Sequence, residues 1–315
     1  MMRVERSPEF ISHADVAGRL DWQGAVAALR AGHALPRAKI ADTFLGPATA
    51  TMMTRSAFIP GLGYGAKPFT VFDANAAQGL PTVQGAMLVF DKDDGHLRAI
   101  VENRLVTTFK TAADSVLGAS LLARPDSRHL LIVGAGAVAA SLVGAYTAVL
   151  PGIEQVTIWA RRPDQAQALV DRINTPARLA VATDLHDAMA RADIIATTTM
   201  AREPVIAGDW VRPGTHVDLI GAYKADMREA DDALMARARL FVDSRETTAH
   251  IGELLIPIAS GAITAGSVLG DLYDLVRPGA KGRQSDDDTT VFKNGGGAHL
   301  DLMIASWIID SLSQR

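Results

Sequence analysis

Cysteine is absent from all 315 residues. Its absence excludes disulfides, thiolate metal sites and a cysteine nucleophile together, and it agrees with a reducing compartment. Excess charge of one sign is lacking as well: 31 basic and 35 acidic residues leave a formal charge of −4. The densest basic spots are pairs such as Arg161-Arg162, so a nucleic-acid partner is not expected. The eight histidines are scattered without helical ligand spacing, and no metal site is expected from them. No nucleophile elbow supports a Ser-His-Asp reading. The opening MMRVERSPEF is too charged for a signal peptide and has no apolar core, which points to a cytoplasmic protein.

Long apolar runs are missing with one exception, LLIVGAGAVAASLVGAYTAVLPGI at 130–153. It approaches the roughly 20 residues of a membrane helix. Gly134 and Gly136, followed by a Pro151-Gly152 stop, divide it instead into a buried strand and a Gly/Ala-rich helix. No membrane partner is expected. What the chain does have is a folded-protein balance, 48% hydrophobic and 21% charged, and a length that buries a core without staples in one large or two ordinary domains.

Two regimes follow along the chain. Residues 1–118 read as strands broken by Asn, Gly and Pro, with a helix near Trp22–Ala31 and a hairpin turn at Asp93-Asp94-Gly95. An Ala-rich helix over 111–123 leads to a hinge at Arg124-Pro125. From residue 129, apolar strands at 129–133, 155–160, 178–182, 193–199, 215–222 and 239–244 alternate with amphipathic helices, including 165–173 and 185–191. That rhythm predicts a parallel sheet covered on both faces. After about 280 the rhythm stops in a polar, glycine-rich stretch, and a last helix over 300–312 is expected to dock on the first domain.

The first strand of the series runs into Gly134-Ala135-Gly136-Ala137-Val138-Ala139. In this GxGxxA turn Gly134 allows the tight turn and Gly136 lets the backbone approach a pyrophosphate. Ala139 permits close helix–strand contact, and the amides of Ala137 and Val138 open the helix whose positive end holds phosphate. A packing turn would use the same glycines, but the strand before, the helix after and the βαβ series favour a dinucleotide. The second strand ends in Trp159-Ala160-Arg161-Arg162, with no carboxylate until Asp164. Two guanidiniums suit a ribose 2′-phosphate, so NADP(H) is expected, with NAD(H) as the alternative. The first domain gathers cations, Arg37, Lys39, Arg55, Lys67 and Lys110, which either snorkel at its edge or line an anion site.

The blocks LGYGAKPFTVFDANAAQGLPTVQGAMLVFDKDDG, LVTTFKTAADSVLGASLLAR and LLIVGAGAVAAS, followed by EPVIAGDWVRPGTHVDLIGAYKADMREADD and VFKNGGGAHLDL, resemble in order the ornithine cyclodeaminase/mu-crystallin family. The resemblance implies an α/β protein in which a doubly wound Rossmann domain is inserted in an α+β substrate and dimerisation domain. The substrate domain would take 1–122 and 286–315, the Rossmann domain 123–285, and the chain would form a homodimer. It further implies hydride exchange at the α-carbon of an amino or imino acid whose carboxylate is held by cations. By that likeness Lys67 binds the carboxylate, with Arg37 (or Lys39, nearly as well placed) and Lys110, which stands where the family has an arginine. Thr82, Thr111, Thr199 and Met200 fall at cofactor-side positions. Two departures count against ornithine cyclisation: Tyr223 follows Gly221-Ala222 where cyclodeaminases carry Asp, and Thr51 stands where they carry Glu. The expected activity is therefore NADPH-dependent reduction of a small cyclic imino acid, such as pyrroline-2-carboxylate or piperideine-2-carboxylate, to proline or pipecolate. Lys67 and Tyr223 are the candidate catalytic groups, with Tyr223 either donating a hydrogen bond near the imine nitrogen or walling the pocket. The alternatives are a cyclodeaminase with bound NAD and a non-catalytic, crystallin-like NADP-binding protein.

Overall fold

A computed structural model describes residues 7–16 and 18–313. The chain divides into two units, residues 1–110 with 297–315 and residues 111–296. The sequence placed the divisions at 122/123 and 285/286, so the second unit takes in more chain at both ends.

The first unit is a six-stranded sheet built from β1 (Glu9–Ile11), β2 (Lys39–Leu45), β3 (Ala50–Ile59), β4 (Gly63–Phe72), β5 (Val83–Phe90) and β6 (Leu97–Glu102). Its spatial order is β1-β6-β5-β4-β3-β2. β2 to β6 form an antiparallel meander and β1 joins β6 in parallel. The expected Asp93-Asp94-Gly95 turn joins β5 to β6, with Asp91 accepting from the Asp93 amide at 2.8 Å. One face of the sheet is covered by the C-terminal helix Ala298–Ser313, which also packs on helix Trp22–Ala34. Asp21 caps that N-terminal helix, accepting from the Gly24 amide at 2.6 Å. A Cβ at Gly32 would lie 2.4 Å from Met303 Sδ, so the two helices pass at glycine distance.

The second unit is an eight-stranded, wholly parallel sheet. Its strands are β7 (His129–Val133), β8 (Gln155–Trp159), β9 (Arg178–Val181), β10 (Ile194–Thr197), β11 (His216–Leu219), β12 (Arg239–Val242), β13 (Val268–Asp271) and β14 (Thr290–Lys293). They lie in the order β13-β12-β14-β11-β10-β7-β8-β9. This is the doubly wound Rossmann arrangement, with the strand order reversing between β7 and β10, where such sheets take their ligands. Leu130 to Val133 and Ile194 to Ala196 are completely buried, as strands covered on both faces must be.

Two expectations about local structure need correction. Helix Asn103–Leu122 begins eight residues before the 111 start read from sequence, so Lys110 lies inside it rather than just before it. The Val106-Thr107-Thr108 run has β-type side chains, but Leu105, Val106, Ala112, Ala113, Val116 and Leu117 are all fully buried. Burial at helical spacing overrides the weak local preference. The polar stretch after 280 likewise holds a strand: β14 lies between β11 and β12 with all four residues buried. Four residues between SDDD and GGG carry no readable period, and only pairing to both neighbours makes them a strand. No helix among the described residues is long and apolar enough to cross a membrane.

Candidate functional site

In the first unit, β4 carries Lys67 at the middle of the sheet. Register places Arg55 of β3 directly opposite Lys67, and Asp42 of β2 directly opposite Arg55, so the three side chains share one face. Arg55 reaches Asp42 through Nη2 at 3.0 Å and Nε at 3.1 Å. Lys67, only 5% exposed, donates from Nζ to Asp301 Oδ1 at 2.8 Å. The second oxygen, Oδ2, is also 2.8 Å from Nζ, so the ammonium faces both carboxylate oxygens. Asp301 comes from the covering C-terminal helix and is fully buried.

The electrostatics follow from this crowding. Burial draws the Lys67 ammonium down to about 8, with Asp301 opposing the change and Lys110 and Arg55 adding to it. Burial also resists ionisation of Asp301, but Lys67, Lys110 and Arg55 together outweigh it and hold the carboxyl below its ordinary value. His299, two residues before Asp301, is buried 5.7 Å from His33 in an edge-on contact. Burial, then His33, Lys110 and Arg55, push its imidazolium well below the ordinary value, so it is neutral at physiological pH. Several cations are thus gathered in the interior of one unit around a buried carboxylate, an arrangement typical of sites that bind or transform anions.

The candidates read from sequence distribute unevenly. Lys67 and Lys110 are both buried and act on the same carboxylate. Arg37 is exposed in the segment before β2, and Lys39 is exposed at the start of β2. Arg55 is the arginine beside Lys67. Thr82 is half-buried just before β5, its carbonyl accepting from the Phe72 amide at 2.9 Å. Thr51 lies on β3, donating to the Pro47 carbonyl at 2.6 Å.

In the second unit the glycine turn has the geometry its spacing predicted. Gly134 has φ 130°, and a Cβ there would lie 2.3 Å from Thr198 Oγ1 and 3.1 Å from the Thr198 carbonyl oxygen. Its amide donates to the Trp159 carbonyl at 2.8 Å, tying the turn to the end of β8. Gly136 differs: a Cβ there would meet nothing within 4 Å. The chain's own packing does not require glycine at this position, whereas an incoming phosphate would. Helix Ala137–Val149 starts at Gly136 without a side-chain cap. Ala137 is exposed, Val138 half-buried and Ala139 buried, so the first amides are open while Ala139 seats the helix on the sheet. Arg161 and Arg162 are both exposed immediately after β8. The open amides at the helix start fit the pyrophosphate of a dinucleotide.

The ends of β10 and β11 are held by Glu229, which sequence reading did not single out. Its carboxylate accepts from Thr197 Oγ1 at 2.7 Å, from the Thr199 amide and hydroxyl at 2.7 Å each, and from the Gly221 amide at 2.6 Å. Thr199 is therefore engaged by the protein itself, and Met200 after it is 65% exposed. Tyr223 is 50% exposed, its ring 5.5 Å from Lys224 Nζ. Thr111 offers its carbonyl to Asn294 Nδ2 at 3.1 Å. Below these loops lies a second unforeseen group, fully buried Lys293 of β14 among Asp218, Asp243 and Glu253. Asp301, Glu229 and Lys293 were invisible for one reason: each has an ordinary local context and becomes unusual only through burial beside distant residues.

The family model for ornithine cyclodeaminase/mu-crystallin matches residues 51–315. The Delta(1)-pyrroline-2-carboxylate reductase of Paracoccus denitrificans is 74% identical over 310 residues, 98% of each chain. Ketimine reductase mu-crystallin of Mus musculus is 35% identical over 248 residues, 78% of this chain and 75% of that protein. Among solved structures, the Thermococcus litoralis Delta(1)-pyrroline-2-carboxylate reductase in complex with NADH and L-proline superposes with a TM-score of 0.89 at 25% identity, covering 96% of this chain and 97% of that one. The residue blocks, the inserted Rossmann sheet and these matches agree: the chain belongs to the ornithine cyclodeaminase/mu-crystallin family.

Proposed function

We propose that this oxidoreductase reduces small cyclic imino acids, pyrroline-2-carboxylate or piperideine-2-carboxylate, to proline or pipecolate with NADPH. The observation that carries the reading is the buried Lys67–Asp301 pair with Lys110 and Arg55 beside it. Ammonium and guanidinium groups already withdrawn from water bind a carboxylate more strongly than surface charges do. Lys67 and Lys110 hold the substrate carboxylate, and Arg55, next to Lys67 in register, takes the part that the resemblance gave to Arg37. Fixing the carboxylate fixes the adjacent imine carbon, and near-attack geometry of this kind is worth several kcal/mol of barrier. The nicotinamide, when bound, supplies a hydride to that carbon. Protonation makes the imine electrophilic, so the part assigned to Tyr223, half-exposed after β11, is a hydrogen bond near the imine nitrogen and not that of a strong acid. The Paracoccus denitrificans and Mus musculus relatives are named for reductases of this type, which supports the reading over ornithine cyclisation.

Arg161 and Arg162 support NADPH, whereas the NADH in the Thermococcus litoralis complex favours NADH as the second reading. A panel of cyclic imino acids, each with NADPH and NADH, tests both, with ornithine added to detect ammonia. Cyclic imines are expected to oxidise NADPH and ornithine to release no ammonia. An Arg161→Ser/Arg162→Ser variant should raise the KM for NADPH by about 10–100-fold, the loss of one or two charge-assisted pairs, and leave the KM for NADH nearly unchanged. Equal effects on both cofactors would remove the 2′-phosphate role.

We also propose a homodimer formed through the first unit. Phe44, Leu45, Met52, Tyr64, Phe72 and Val83, all on β2 to β5, are between 41% and 66% exposed, more apolar surface than an isolated sheet leaves open. Sedimentation equilibrium is expected to return twice the 33.4 kDa chain mass; a single-chain mass at micromolar concentration would remove this part.

A further inference from the structure

The Lys67–Asp301 pair poses a physical question, because burying two charges seldom stabilises a fold better than a well-packed apolar pair. Lys67 sits in the middle of β4 between Ala66 and Pro68 and could be an aliphatic residue without loss of sheet pairing. Its surroundings are also unfavourable for an ammonium. Arg55 of β3 lies directly across from it, Lys110 of helix Asn103–Leu122 adds a further positive charge, and His299 of the C-terminal helix is neutral. Asp42 of β2 is engaged with Arg55. Asp301 is thus the negative charge in contact with Lys67 among the described residues.

We propose that Asp301 is a positioning residue: its ion pair across the sheet–helix interface keeps the Lys67 ammonium charged and oriented, leaving Lys67 a proton to donate to a substrate carboxylate. An ammonium has three N–H donors. One is directed at Asp301 Oδ1 at 2.8 Å. Oδ2 is also 2.8 Å away, and two carboxylate oxygens facing three N–H donors do not exhaust the lysine. The C-terminal helix therefore contributes to the site as well as covering the core, a role that neither the glycine turn nor the cation motifs disclosed. The inference rests on the imino-acid reading above for its substrate, but the pairing itself can be measured without one.

The test compares wild type with Asp301→Asn, which preserves shape and removes the charge. Without Asp301, burial and the neighbouring cations act on Lys67 unopposed. The alkaline limb of the kcat/KM profile for the imino acid should then move to lower pH by about one unit or more, with the loss falling on KM more than on kcat. A Lys67→Arg variant, whose guanidinium does not titrate in this range, should lose the limb altogether. In parallel, competitive acetylation with acetic anhydride, read on the Lys67 peptide by mass spectrometry, follows the same ionisation without substrate, and its midpoint should fall likewise. Should Asp301→Asn not fold, Asp301→Glu keeps a carboxylate displaced by one methylene, and a smaller shift in the same direction is expected. A uniform loss of activity with limb and midpoint unmoved overturns the proposal. If wild type reduces no imine while the Lys67 midpoint still falls in the variant, the pairing stands and the functional reading fails.

Discussion

Replacing Lys67 by methionine is expected to lower kcat/KM for the imino acid by about 10²–10³-fold and to destabilise the first unit in the same step. The activity loss corresponds to roughly 3–4 kcal/mol, the range for removing one partner of a desolvated, charge-assisted contact. The stability loss has a different origin. Asp301 is fully buried, and without Lys67 its carboxylate must either remain charged in the core or take up a proton. Breaking a buried pair from one side costs about 3–5 kcal/mol. The two effects separate in the double variant Lys67→Met/Asp301→Asn, which no longer buries a lone charge. It should regain most of the lost thermal stability and none of the lost activity. Urea unfolding and steady-state kinetics on the four proteins of that cycle check the result. Recovery of activity along with stability would mean that Lys67 served the fold alone.

Lys293→Met is expected to lower stability by a comparable amount, about 3–5 kcal/mol by the same one-sided rule, and that effect should depend on pH. Burial pushes Asp218 up to about 7, Asp243 to about 6 and Glu253 to about 7, while the Lys293 ammonium opposes the change in all three. Lys293 itself is anchored by donating to the carbonyls of Leu219 and Asn294, at 2.9 Å each. Asp218 is further held by Tyr146, whose hydroxyl donates to it at 3.0 Å. Asp243 is held by the amides of Gly295 and Gly296 at 2.8 and 2.6 Å.

The sign follows from proton counting. An acid whose folded pKa is raised keeps its proton in the folded chain at pH values where the unfolded chain has lost it. Its contribution is greatest at the acidic end and is lost as pH rises through the folded value. Removing Lys293 raises these folded values further, so the deficit of the variant should be smaller near about pH 5.5 than near about pH 8. His216 acts in the opposite sense. Burial and Arg283 draw it down to about 3, so it costs stability as pH falls below the ordinary histidine value. Because His216 is present in both proteins, the difference between variant and wild type at each pH isolates the acids. A deficit that is constant across this range would show that Lys293 acts by packing rather than by charge.

The glycine turn and the strand–helix rhythm of 129–244 were legible because each is a short-range property. Gly134 answers to its own φ and to the chain returning beside it at Thr198, and apolar runs such as HLLIV announce a strand buried on both faces. Lys67 and Lys110 were legible as candidates for a similar reason, a cation set in an apolar neighbourhood. Arg55 was one of five candidate cations in the first domain, and no local feature raised it above Arg37; only the register of β3 against β4 did so. β14 was missed because four residues carry no period, and Lys110 was placed outside its helix because a Val-Thr run imitates a strand.

From its own composition and order the chain determined an α/β class, a glycine turn between strand and helix with a pair of arginines one strand later, and a first half supplied with cations. Each of these is read from a short run of residues, from the order of such runs or from overall balance, and so survives without coordinates. Tertiary structure alone decided which cation faces which carboxylate: Asp301 is 234 residues from Lys67 and lies at hydrogen-bond distance from it. A charge acquires its chemical character from the medium and the neighbours it meets, and for these groups both were set by the packing of a helix on a sheet.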